Sequence, residues 1–205
     1  MNQKMLNYLT WGSVIGSLAL VTYVWGDTAG WKIGSLSTYQ WFPLFGLIAW
    51  VVMAEHYYLG TIRITKPELK KPRGFKPVTG WLVLGSLLLH PGLLAYEQSR
   101  NDQGLPPESF VNYVGDGLRL AVMLGTISLI IFLSFEVFDR IKRGRVLKKY
   151  WWVISMSQSL AMILIWVHGM RLGTHITGWF ETVWIIYGLA LIPCFYISHR
   201  EDFKR

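Results

Sequence analysis

Six apolar runs of about twenty residues, set apart by shorter polar stretches, dominate this chain. They cover approximately Leu6 to Trp25, Tyr39 to Leu59, Val78 to Tyr96, Leu118 to Phe138, Tyr150 to Leu172 and Thr177 to Ser198. At a helical rise of 1.5 Å per residue, such a run matches a hydrocarbon core of roughly 30 Å. The pattern predicts an all-α integral membrane protein, a six-transmembrane-helix bundle that forms a single domain over residues 1–205. The first run follows Lys4 and has no clean small-x-small cleavage site, so it reads as the first helix and not as a signal peptide. Between the second and third runs, Thr61 to Pro77 carries Pro67, Pro72, Pro77 and Gly74 and reads as an ordered or semi-extended loop. The segment from Glu97 to Gly117, with Gly104-Leu105-Pro106-Pro107, reads as an outer loop over the mouth of the bundle. The chain shows no internal repeat and no low-complexity segment.

Composition agrees with the pattern. With 52% hydrophobic and 16% charged residues, a soluble domain of 205 residues would have more apolar surface than it can hide. One cysteine, Cys194, excludes an internal disulfide and reads as a buried thiol of the sixth helix. The net charge of +8 changes the picture through its distribution. If the amino terminus is cytoplasmic, sixteen of the 20 Lys and Arg fall on the cytoplasmic side, against Lys32, Arg100, Arg119 and Arg171 on the other. Both termini are therefore expected inside, in a bacterial inner (plasma) membrane. The basic loops then face anionic membrane lipid and not nucleic acid, and they also suit an acidic cytosolic partner.

Two of the five histidines, His90 and His168, lie within the third and fifth runs. An imidazole at that depth needs a partner that offsets its desolvation, and a metal or haem iron is the leading candidate, with an interhelical hydrogen bond as the alternative. His90 lies about 20 Å along an outward-running helix and His168 is near the far end of another, so both fall in the outer half. Gly92 and Gly169 remove bulk beside them, as a flat macrocycle requires, and Pro91 frees the carbonyl of Leu87 and favours a bend. His175, two turns beyond His168 on the same face, reads as an interfacial histidine, as a replacement for His168 or as a propionate partner. Arg119 and Arg171 suit haem propionates or lipid headgroups about equally. Towards the cytosol, Tyr57, Tyr58, Tyr150, Trp151 and Trp152, with Glu55, His56 and Ser155, form either an aromatic belt or a pocket for a flavin or quinone ring. Glu55 and His56 are candidates for proton handling, and His199 belongs to the same cytoplasmic side. Phosphate loops, metal-binding cysteine pairs and nucleophile motifs are absent from the sequence.

The stretch Leu124-Gly125-Thr126-Ile127-Ser128, continuing through Lys148-Lys149-Tyr150-Trp151-Trp152 to His168, together with the spacing from Gly80-Trp81 to His90, resembles the ferric reductase-like transmembrane domain. Within that family it looks most like the haem-binding membrane subunit of bacterial methionine sulfoxide reductase systems. The resemblance covers the last five helices. It implies an antiparallel six-helix bundle that carries electrons through b-type haem, from a cytosolic flavin reductase or quinol to an outer-side acceptor such as a reductase subunit or ferric iron. Such a redox subunit needs separate donor and acceptor proteins. Members with two stacked haems carry a second histidine about thirteen residues before the outer ligand; here that position is Ser155, and the inner end of the third helix offers Lys76 and Pro77. One haem b is the coherent count. The competing expectation is a haem-free scaffold or transporter-like bundle whose histidines only join helices.

Overall fold

Each apolar run is helical in the computed structural model, which describes residues 1–141 and 151–200. The helices are α1 (Gln3–Thr28), α2 (Thr38–Thr65), α3 (Phe75–Arg100), α4 (Glu108–Val114), α5 (Arg119–Ile141), α6 (Trp151–Leu172), α7 (Gly178–Leu189) and α8 (Leu191–His199). Six stretches are long and apolar enough to cross a membrane, the last of them formed by α7 and α8 together. No strand occurs among the described residues.

Local chemistry sets the ends. Asn2 caps α1 by accepting from the Met5 amide at 2.9 Å, and the Gln40 side chain reaches back to the Ser37 amide at 2.9 Å at the start of α2. Gly74 turns the chain into α3 at φ 76°, a left-handed conformation that favours glycine. The loop before it is tied to α1 by a reciprocal pair, Gln3 Nε2 to the Lys70 carbonyl and the Lys70 amide to Gln3 Oε1, each 2.9 Å. That pair places the α2–α3 connection beside the start of α1, at what is called here the N-terminal end of the bundle. Leu69 and Phe75 pack there with Leu6, Val14 and Leu59.

Three boundaries differ from the sequence pattern, and the first is the loop read from Thr61 to Pro77, which narrows to residues 66–74 because α2 runs on to Thr65 and α3 begins at Phe75. The last run is broken at Ala190, where α7 gives way to α8. Pro193 explains the break: its ring has no N–H to give and crowds the carbonyl four residues back, that of Leu189, the last residue of α7. The segment read as an outer loop contains α4 and a 3-10 turn, Asp116–Leu118, while α3 runs on to Arg100.

Because α2 is apolar on every side, it takes the centre, packed by α1, α3, α6 and α8. Trp50, Val52 and Ala54 are fully buried there. Elsewhere two hairpins dominate the packing, α3 against α2 and α5 against α6, and they meet chiefly where α2 passes α6. Large apolar side chains such as Trp81, Leu88, Leu120 and Ile130 stand exposed, as helices that contact lipid require.

Candidate functional site

His90 and His168 are held by the same device in the two hairpins. His90 Nδ1 lies 2.8 Å from the Phe42 carbonyl of α2, and His168 Nδ1 lies 2.8 Å from the Ala121 carbonyl of α5. A carbonyl only accepts, so each Nδ1 carries the proton and each Nε2 keeps its lone pair. In both cases a glycine follows the accepting residue by four positions. A Cβ on Gly46 would stand 2.8 Å from His90 Nδ1, and one on Gly125 would stand 2.5 Å from His168 Cε1. Without a Cβ at that position, a ring can lie flat on the helix and reach the carbonyl one turn back. Trp166 repeats the arrangement against Gly188, its indole N–H donating to the Trp184 carbonyl at 3.2 Å.

The two imidazole centres are 6.3 Å apart with planes at 83°. Two imidazoles that share one ion in line, each nitrogen about 2 Å from it, have centres roughly 6 Å apart. Among the described residues, no group of three or more His, Cys, Asp or Glu gathers to hold a metal ion. A pair of imidazoles is too small a set for a bare ion and is the set needed when a macrocycle supplies the remaining ligands. Both rings are half-buried within helices long and apolar enough to cross a membrane, close to the end where α2 and α5 begin, the end opposite the N-terminal one. The residues present therefore fit haem.

That end is covered. Phe42 packs on His90 with ring centres 5.4 Å apart, Tyr113 of α4 meets Phe42 edge-on at 6.5 Å, and Tyr39 stacks on Tyr113 at 5.3 Å. The segment read as an outer loop brings α4 to this end, with Tyr113 itself 45% exposed. Gln98, two turns beyond His90, and Ser109 of α4 are buried with no hydrogen-bond partner on their side chains among the described residues. Such groups carry a cost unless something polar reaches them.

Other predicted positions are distributed as follows. Arg119 begins α5 and Arg171 nearly ends α6, both exposed at the histidine end. His175 is not on the face of His168: α6 stops at Leu172, the Gly173 amide still donates to the Gly169 carbonyl at 2.7 Å, and His175 lies in the connection to α7. It is buried there, its Nδ1 without a partner among the described residues, and burial pushes its imidazole below the usual range. The unfolded chain takes up a proton near pH 6.5 while the folded one resists it, so the stability present above that pH falls as pH drops below it. Thermal unfolding in detergent between pH 8 and 5 is expected to show this slope, and His175→Asn to flatten it.

Towards the N-terminal end, His56 Nε2 lies 2.8 Å from Thr79 Oγ1, whose own hydrogen goes to the Phe75 carbonyl at 2.6 Å. His56 therefore donates across from α2 to α3. Thr79→Val is expected to cost about 1–3 kcal/mol by stranding that donor, seen as a lower unfolding midpoint, with no change at the paired histidines. Trp152 is exposed and Ser155 half-buried on α6; the side chain of Trp151 and all of Tyr150 lie outside the described residues. Tyr57 and Tyr58 turn into the packing, Tyr57 edge-on to Phe195 at 4.8 Å and Tyr58 donating to the Tyr187 carbonyl at 2.6 Å.

Sequence reasoning missed Gly46 and the carbonyls of Phe42 and Ala121. It also missed an aromatic column, in which Trp184 lies against Gly169, stacks on Trp50 with centres 4.1 Å apart, and Trp50 meets Tyr187 at 5.6 Å. A glycine near the start of each hairpin's first helix, at matched depth to a histidine in the second, was the available signal. Set against protein-family models, curated proteins and solved structures, the chain matches none.

Proposed function

We propose that this is a transmembrane electron-transfer protein carrying one b-type haem between His90 and His168, of the ferric reductase-like kind, with both termini in the bacterial cytosol. The observation that carries the reading is the pair of imidazoles 6.3 Å apart, each with Nδ1 committed to a main-chain carbonyl and Nε2 left to ligate. When bound, the haem supplies one-electron chemistry between ferric and ferrous iron.

The residues of the chain do the rest. The Phe42 and Ala121 carbonyls fix ring orientation and tautomer and raise imidazole basicity, which favours the ferric state. Phe42 and the Tyr113–Tyr39 stack exclude water from the histidine end. Gln98, Ser109, Arg119 and Arg171 offer hydrogen bonds and charge to carboxylates at the outer rim. Ser155, Lys76 and Pro77 stand where a second pair of ligands would be needed, which supports a count of one. The column from Tyr187 through Trp50 to Trp184 offers a packed path from the middle of the bundle to Gly169, next to His168. A cytosolic flavin reductase or quinol is the donor class, and an outer-side protein or ferric iron the acceptor class.

The test is a vesicle experiment. Purified protein is reconstituted in liposomes that trap an impermeant oxidant, and an impermeant reductant is added outside. Discharge of the trapped oxidant is expected with the wild type and not with His168→Ala. Haem-loaded wild-type protein that fails to discharge it would remove the electron-transfer reading and leave haem binding.

A further inference from the structure

Glu55 lies in the middle of α2 and is 4% exposed, yet nothing in the handling of electrons uses it. The hydrogen bonds it receives come from hydroxyls on two other helices. Ser13 Oγ lies 2.8 Å from both carboxylate oxygens, Ser17 Oγ 2.8 Å from Oε1, and the Tyr187 hydroxyl of α7 donates to Oε1. Ser17 Oγ and the Tyr187 hydroxyl are themselves 3.1 Å apart. The titratable groups around this cluster are Tyr187, Tyr58, whose hydroxyl donates to the Tyr187 carbonyl, and Cys194 of α8; α1 brings serines. His56, the next residue along, is turned to Thr79 on α3.

Each hydroxyl around the carboxylate can donate or accept by rotating one hydrogen. With the carboxyl ionised, three hydroxyls donate to it; with a proton added, the carboxyl can donate to Ser13 or Ser17 while the others turn, and no heavy atom has to move. Both serine hydroxyls stand 2.8 Å from a carboxylate oxygen, the separation at which two oxygens share a proton directly. Ser13 is exposed on the outer face of α1, so the carboxylate is one hydroxyl away from the lipid phase.

We propose that Glu55, Ser13, Ser17 and Tyr187 form an intramembrane proton-binding site, at which the Glu55 carboxylate takes up and releases a proton inside the bundle. The site rests on the α1–α2–α7 hydroxyl cluster and stands whether or not the paired histidines hold haem. Ionisable groups within membrane-spanning helices are costly and mark functional positions by default, and Glu55 is 4% exposed within such a helix.

A hydrophobic carbodiimide tests it, because the reagent enters from lipid and reacts with protonated carboxyls only. The full chain in lipid nanodiscs is treated across a pH series and the modified residue located by mass spectrometry. Labelling at Glu55 is expected at acid pH, declining at least tenfold as pH rises, with none in Glu55→Gln. An unlabelled Glu55 at every pH in folded wild-type protein, labelling indifferent to pH, or protection by sodium at fixed pH would each overturn the proposal. Since the wild-type profile decides the matter, a poorly folding variant does not obscure it.

Discussion

Substituting alanine for His168 is expected to remove the low-spin haem spectrum and cut haem retained through purification by at least tenfold. In the proposed site His168 would supply one of the two imidazoles that hold the haem, and His90, whose ring centre is 6.3 Å away, would supply the other. The chain cannot compensate locally: the rings are pinned by carbonyls on different helices, α2 and α5, so neither can swing to serve both positions. The cavity left by the deletion admits free imidazole, and adding it is expected to restore the low-spin bands. His175→Ala serves as the comparison and is expected to keep the wild-type spectrum, because His175 belongs to the α6–α7 connection. The opposite pair of results, bands kept in His168→Ala and lost in His175→Ala, would move the ligand into that connection.

The second large effect is expected at Gly125. A valine there puts Cβ and its branches into the space where His168 Cε1 stands 2.5 Å from an ideal Cβ position. Overpacking of this kind costs about 1–3 kcal/mol, and here it falls on the ring proposed to hold the haem. Haem affinity is therefore expected to drop roughly tenfold to a hundredfold, since each 1.4 kcal/mol is a factor of ten. Gly16→Ala on α1 is the control. Nothing lies within 4 Å of a Cβ at Gly16, so that change is expected to leave haem affinity unaltered and to add about 0.5–1 kcal/mol of helix stability. Equal haem affinity in Gly125→Val and wild type would mean that His168 does not rest on α5 in the loaded protein.

What the sequence disclosed follows from what side chains can encode. Six helices and two histidines at matched depth were legible because a polar ring in a twenty-residue apolar run stands out against its surroundings. The partners of those rings were not legible, since Phe42 and Ala121 contribute backbone carbonyls that any residue possesses. Only the glycines four positions later leave a mark, and Gly46 is one glycine among many until α2 and α3 are seen packed together. Placing His175 on the face of His168 assumed that α6 continues past Gly173, whereas it ends at Leu172 and His175 falls in the connection to α7. The break at Ala190 had its signal in Pro193, read through as part of one apolar run. Glu55 and Tyr187 are 132 residues apart, and no local pattern links them before α1, α2 and α7 come together. The bond from His56 to Thr79 on the adjoining helix was likewise hidden, because the two residues are 23 positions apart and meet only when α2 and α3 pack.

The most direct measurement is the electron paramagnetic resonance of the oxidised, purified protein, integrated against chain concentration. Two imidazoles on one ferric iron give a low-spin signal, and ring planes near perpendicular, 83° between His90 and His168, make it strongly anisotropic with a large maximum g value. The expected result is one such spin per chain, absent from His90→Ala and from His168→Ala. A high-spin signal, a low-spin signal that persists in both variants, or no haem signal from protein expressed with ample haem would contradict axial ligation by this pair.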